Sequence, residues 1–256
     1  MISNLFSTAF HSAEKEIKKD SKPDYKVMLI CITVAFSLSM IRYLGDPKFL
    51  VDFLQNVGLN SFANSFENLT TINPNAELYR LVYWASNVIF FYVIPPFILI
   101  KLVFKEKFSE YGLSFKGAFK DNKIYIIMLL VMIPLVLFFS RTESFQARYP
   151  FYSLQKGESM YPNLFIWEIV YLIQFFALEF FFRGFMLHGT KQRFGFYSVF
   201  VMTIPYCMIH FGKPFPETIA AIVAGVVLGT LSLKSRSIWL GVAIHYSVAI
   251  TMDVCS

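Results

Sequence analysis

Glu179 and Arg183 stand four residues apart inside Leu172-Ile-Gln-Phe-Phe-Ala-Leu-Glu179-Phe-Phe-Phe-Arg183-Gly-Phe-Met-Leu187. At helical i, i+4 spacing a carboxylate and a guanidinium can pair. Two imidazoles follow in equally apolar settings, His210 in Tyr206-Cys-Met-Ile-His210 and His245 in Val242-Ala-Ile-His245-Tyr. A carboxylate can draw a proton from water and an imidazole can hold that water or the oxyanion it creates, which is hydrolytic chemistry. Each residue also has a plainer use. A Glu–Arg pair can simply hold helices together, and a histidine before Gly-Lys-Pro can cap a helix. Four ionisable groups in greasy sequence are nevertheless costly to keep for structure alone.

Other chemistries fit less well. Two His and one Glu could ligate zinc, but the helical His-Glu-x-x-His pattern is absent, so neither a metal nor a cofactor is expected. Cys207 lies three residues before His210 and invites a thiol–imidazole reading, without a third group to orient it. Cys31, Cys207 and Cys255 form no disulfide or metal spacing and read as packing residues.

These residues must be positioned by a membrane domain. The chain has 256 residues, 56% hydrophobic, 18% aromatic and only 16% charged, with the apolar residues in long blocks. That composition predicts an all-α polytopic bundle of about seven to eight spans rather than a barrel. The net charge of +6 falls in the gaps between blocks, which marks topology rather than nucleic-acid binding. Residues 1–26 read as a basic, amphipathic cytoplasmic tail without a cleavable signal, and 27–256 as one transmembrane domain.

Spans are expected near 27–41, 81–100, 124–139, 164–193, 195–210, 218–233 and 238–254. A wet, weakly amphipathic stretch precedes Glu77, and Pro95-Pro96 should kink or break the second span. Alternating Lys and Arg counts place the N-terminus, the loop from Lys105 to Lys123 and the turn at Lys191–Arg193 in the cytoplasm of a cell (inner) membrane protein. Trp84, Trp167 and Trp239 lie near span ends, as interfacial aromatics do. Ala221, Gly225 and Gly229 form a small-residue stripe that admits a close helix.

Depth arithmetic tests convergence. If the chain reverses near Phe194-Gly195, Glu179 and His210 both lie about 22–24 Å from the turn, at 1.5 Å per residue. His245 lies about 12 Å into a helix that begins after Lys234-Ser-Arg236-Ser237. The depths agree approximately.

Glu179-Phe-Phe-Phe-Arg183-Gly184, an aromatic four residues before His210, and His245 in the last helix resemble the CAAX prenyl protease and bacteriocin-processing family. The resemblance covers about residues 164–256. It implies an intramembrane bundle in which a Glu activates water against a peptide bond while His residues and an Asn position the water and stabilise the oxyanion. It thus implies catalytic roles for Glu179, Arg183, His210 and His245 and a membrane-associated protein or peptide as substrate. Two positions depart from the family pattern. The motif begins with two consecutive Glu, and here the first, usually the general base, is Leu178. The Asn four residues after the last His is here Ala249. Glu179 itself, Glu217 and Asp253 are the candidates to substitute. The expectation is a divergent endopeptidase without a cofactor. Its rivals are a degenerate family scaffold without proteolysis and a proton-coupled transporter, and repeated halves, which would favour the last, are not visible. An oligomeric state does not follow from the sequence.

Overall fold

The computed structural model describes residues 23–119, 121–154 and 159–255, and its regular elements there are all helical. The tail expected over 1–26 lies outside the described residues up to position 22. Helix α1 (Tyr25–Leu44) starts where Asp24 accepts from the Val27 backbone N–H, satisfying one of the first-turn donors that have no helical partner. The wet stretch forms two short amphipathic helices, α2 (Pro47–Asn56), capped by Asp46, and α3 (Asn60–Thr71). Helix α4 (Ala76–Ile98) runs through Pro95-Pro96 without ending there. A π-helical turn, Leu99–Val103, follows and takes up the disturbed hydrogen-bond register.

Helix α5 (Asn122–Phe139) is peripheral, and α6 (Asn163–Glu179) begins the central pillar. From α6 the chain continues helically through a π-helix, Phe180–His188, into α7 (Gly189–Phe194). It turns at Gly195, whose φ of +56° glycine tolerates. Helix α8 (Ser198–Met208) returns alongside, followed by α9 (Phe215–Ser235) and α10 (Trp239–Val254). Of the most apolar 18-residue window of Asn163–Met208, 50% is buried inside the protein, against 11% for α5, so the pillar carries the core. Phe180, Phe181, Phe182, Phe185 and Leu187 are packed there against Ile30, Val34, Tyr92 and Tyr111.

Among the described residues five helical segments, α1, Ala76–Val103, α5, Asn163–Met208 and α9, are long and apolar enough to cross a membrane, and α10 is a shorter apolar helix. Large apolar side chains such as Ile32, Phe36, Ile126, Leu130 and Phe138 stand exposed on α1 and α5, which suits acyl chains and not water. The chain is therefore a multi-pass membrane protein.

Successive helices alternate in direction, which gathers the connections at two ends. At one end Lys26 pairs with Glu106 at 2.7 Å, Lys234 with Asp121 at 2.6 Å, and the Ile238 N–H donates to the Gly112 carbonyl at 3.0 Å. At the other, the Ser153 N–H donates to Glu77 at 3.3 Å and the Phe151 N–H to Asp253 at 3.2 Å. Trp167 lies near the start of α6, the span end where it is expected, and is fully buried against Tyr171, whereas Cys31 is exposed on α1 rather than packed.

The first end carries a pH-dependent tie. Burial raises the Glu106 carboxyl, but hydrogen bonds from Lys26 and Tyr111 outweigh it and hold the group below its ordinary value. The folded value lies below the unfolded one, so this stabilisation is present above the ordinary carboxylate range and fades as pH falls through the depressed value. Melting temperature in detergent, followed from about pH 6 to about pH 3, should therefore fall less steeply in Glu106→Gln than in the parent. Parallel curves would show that the pair contributes nothing.

Candidate active site

The reversal at Gly195 is what brings the motifs together. Helix α8 lies back along the π-helix, so that Arg183 sits over the Tyr206 ring at 3.8 Å and Phe182 meets the same ring edge-on at 5.4 Å. A guanidinium over an aromatic face is a favourable buried contact. Close approach of α8 and α9 depends on the small-residue stripe. A Cβ on Gly225 would come within 2.8 Å of the Thr203 side chain, and one on Gly229 within 3.0 Å of Met202.

Glu179 and Arg183 are both 0% exposed, with Nη1 3.1 Å from Oε1. The same oxygen accepts from His245 Nδ1 at 3.0 Å. A carboxylate oxygen only accepts, so the imidazole proton lies on Nδ1 and Nε2 keeps its lone pair. His210 is fixed in the same tautomer, because its Nδ1 lies 2.9 Å from the Tyr206 carbonyl, which also only accepts. Both imidazoles rest on Tyr206, with ring centroids 4.9 Å away for His210 and 6.2 Å for His245. The His245 side chain keeps 16% of its surface while its Glu179 partner has none. Among the described residues Glu179 Oε2 has no hydrogen-bond partner, an unusual state for a buried polar atom.

Four of the six sequence candidates, Glu179, Arg183, His210 and His245, thus share one cluster built around Tyr206. Asp253 and Glu217 are engaged elsewhere. Asp253 accepts from the Phe151 backbone on the loop after α5, and Glu217 accepts from Tyr149 at 2.8 Å and from Lys213 at 2.7 Å. Helical rise explains the first case: eight residues beyond His245 is about 12 Å further along α10. Neither vacated motif position regains a polar side chain. Leu178 packs with Tyr92 and Val242, and Ala249 with Trp167 and Tyr171, in two separate apolar clusters.

Sequence reasoning passed over two members. Tyr206 reads there only as the aromatic four residues before His210, yet its ring and carbonyl organise both imidazoles and the guanidinium. Gly241 lies against the carboxylate: a Cβ there would stand 2.7 Å from Glu179 Oε2. Its spacing four residues before His245 puts both on one face of α10, which is the signal that could have found it.

No curated protein and no solved structure matches the chain. A family model does: type II CAAX prenyl endopeptidase Rce1-like matches residues 161–251, the stretch from the start of the pillar through His245. Residues 161–251 are thus similar to the Rce1-like family model, a match consistent with the CAAX prenyl protease and bacteriocin-processing family.

Proposed function

We propose that the protein is a CAAX-protease-like membrane endopeptidase that hydrolyses a peptide bond of a membrane-associated protein or peptide. The observation that carries this reading is the Glu179–His245 contact at 3.0 Å, a carboxylate that orients an imidazole and leaves its far nitrogen basic. Glu179 is itself too enclosed to meet a substrate, so its role moves from base to support, and His245 becomes the base. His245 Nε2 takes a proton from water as the water oxygen bonds to the scissile carbonyl carbon. The imidazolium so formed is stabilised by Glu179, whose charge Arg183 balances when the imidazole is neutral. The proton then passes to the leaving amine nitrogen as the C–N bond breaks. His210, with its Nε2 also unprotonated, serves to hold the water. No metal or cofactor enters this scheme.

Gly241→Ala tests the support without touching a charge. Its methyl displaces the Glu179 carboxylate, and a misplacement of about 1 Å in such a site costs roughly 10²-fold in rate. We expect processing of the native substrate in cells to drop by that order at unchanged protein level. Full processing would show that the carboxylate position is immaterial.

A second reading, a family scaffold without proteolysis, is favoured by one observation, the burial of Leu178 and Ala249 in apolar clusters where the family has Glu and Asn. The two readings separate on mutation of the histidines, taken up in the Discussion. Residues 27–256 serve as one transmembrane domain in either case, with 164–256 as its core.

The end carrying Lys26, Lys191 and Arg236 is assigned to the cytoplasm of the cell membrane, from the Lys and Arg bias of its connections. A cysteine engineered as Lys116→Cys is then expected to resist an impermeant thiol reagent in intact cells and to react after lysis. Labelling before lysis would invert the assignment.

A further inference from the structure

Away from the Glu179 cluster, the end with Lys26 holds a cavity of about 810 Å³. Four cations from four separate segments line it: Lys26 at the start of α1, Lys116 in the loop before α5, Lys191 on α7, and Arg236 in the turn after α9. Two carboxylates, Glu106 and Glu110, line it too, and Glu106 is already bound by Lys26 through both oxygens. The balance is a net positive cavity at the end of the bundle where helices terminate.

Lys191 is the informative member. Its ammonium donates to His188 Nδ1 at 3.1 Å and reaches the Glu110 carbonyl at 3.5 Å, both neutral acceptors. Since His188 Nδ1 accepts, the ring proton sits on Nε2 and donates to Ser232 at 3.1 Å, which locks the buried ring and with it the lysine head. Among the described residues neither Lys191, Arg236 nor Lys116 has a carboxylate within ion-pair distance. Arg236 also occupies a left-handed backbone, φ +56°, at the helix-terminating position that glycine ordinarily fills. An arginine there adds strain, and its side chain supplies charge to the cavity. With four cations against two carboxylates, one of which Lys26 already engages, the cavity keeps cationic groups outside any ion pair, which suits an anion.

We infer that this cavity binds a phosphate-bearing anion through Lys191, Arg236 and Lys116. The headgroup of an acidic phospholipid and a soluble phosphate compound share that chemistry. The full-length protein would be melted in zwitterionic nanodiscs, in nanodiscs containing phosphatidylglycerol, and in zwitterionic nanodiscs with added pyrophosphate. A ligand that binds only the folded state raises the melting temperature with its concentration. A rise in the phosphatidylglycerol arm alone identifies a lipid headgroup, and a rise with pyrophosphate identifies a soluble ligand. Either supports the site if it depends on these cations. Arg236→Gly removes one from a backbone that glycine adopts freely, so it should fold at least as well as the parent while its apparent affinity drops roughly tenfold, the scale of one charge-assisted contact. Lys191→Gln should do the same, and Lys116→Gln, at an exposed position, keeps the test open if either variant folds poorly. No rise in any arm, or an equal rise in parent and variants, overturns the proposal.

Discussion

His245→Ala, Glu179→Gln and His210→Ala are each expected to lower processing of the native substrate in cells by about 10²-fold or more, with membrane protein levels near the parent's for the two histidine variants and reduced for Glu179→Gln, which leaves Arg183 buried without its counter-charge. Removing a positioned base ordinarily costs about 10²–10⁴ in rate, enough to silence a cellular readout. The three variants differ in what they leave behind. His245→Ala removes the base and frees Glu179 Oε1 for Arg183 alone. Glu179→Gln keeps the shape, but its amide offers a weaker acceptor and no charge for the imidazolium. It should therefore retain more activity than His245→Ala. His210→Ala removes the second imidazole, whose ring meets the Tyr206 ring edge-on. The readout is substrate cleavage normalised to protein abundance. If all three keep full function at normal levels, the hydrolytic reading is wrong and the scaffold reading takes its place.

Arg183→Ala is expected to fail earlier, at folding. Glu179 and Arg183 are fully buried, and taking away one member of such a pair strands the other at a cost of roughly 3–5 kcal/mol. That is a large share of the 5–15 kcal/mol that stabilises an ordinary domain. Folded yield by size-exclusion in detergent should fall steeply. Arg183→Met combined with Glu179→Leu should recover much of it, because replacing both charges by apolar groups of similar volume is often neutral. Normal yield and monodispersity for Arg183→Ala would show that the pair does not hold the bundle.

The sequence made the helices and the four polar residues legible for one reason: charged groups in apolar runs are rare, and their spacing is fixed by helical rise. Reversal at Phe194-Gly195 could be foreseen from glycine and the basic cluster beside it. His245 was harder. Its depth by arithmetic fell about 10 Å short of Glu179, yet the two side chains touch. That arithmetic holds only for straight helices with turns at one level, and the nine residues of wider π spiral in the pillar close part of the gap. Asp253 and Glu217 looked available because a sequence does not display loops, and it is Tyr149 and the Phe151 backbone that engage them. The role of Tyr206 was hidden for a related reason. A backbone carbonyl and the face of a ring leave no trace in residue type.

The π-helix itself sets how the pillar tolerates changes of length. A wide spiral contains surplus residue relative to an α-helix covering the same turns. Losing one residue between Phe180 and His188 could be absorbed by local tightening, leaving the segments on either side facing as before. The same loss in α6, between Trp167 and Tyr171, has no slack to draw on. It would swing the preceding part of the helix by about 100° relative to Glu179, one residue's share of an α-turn. Length variation among relatives should therefore concentrate just beyond Glu179, where a one-residue gap in an alignment would mark a change of spiral and not the loss of the fold.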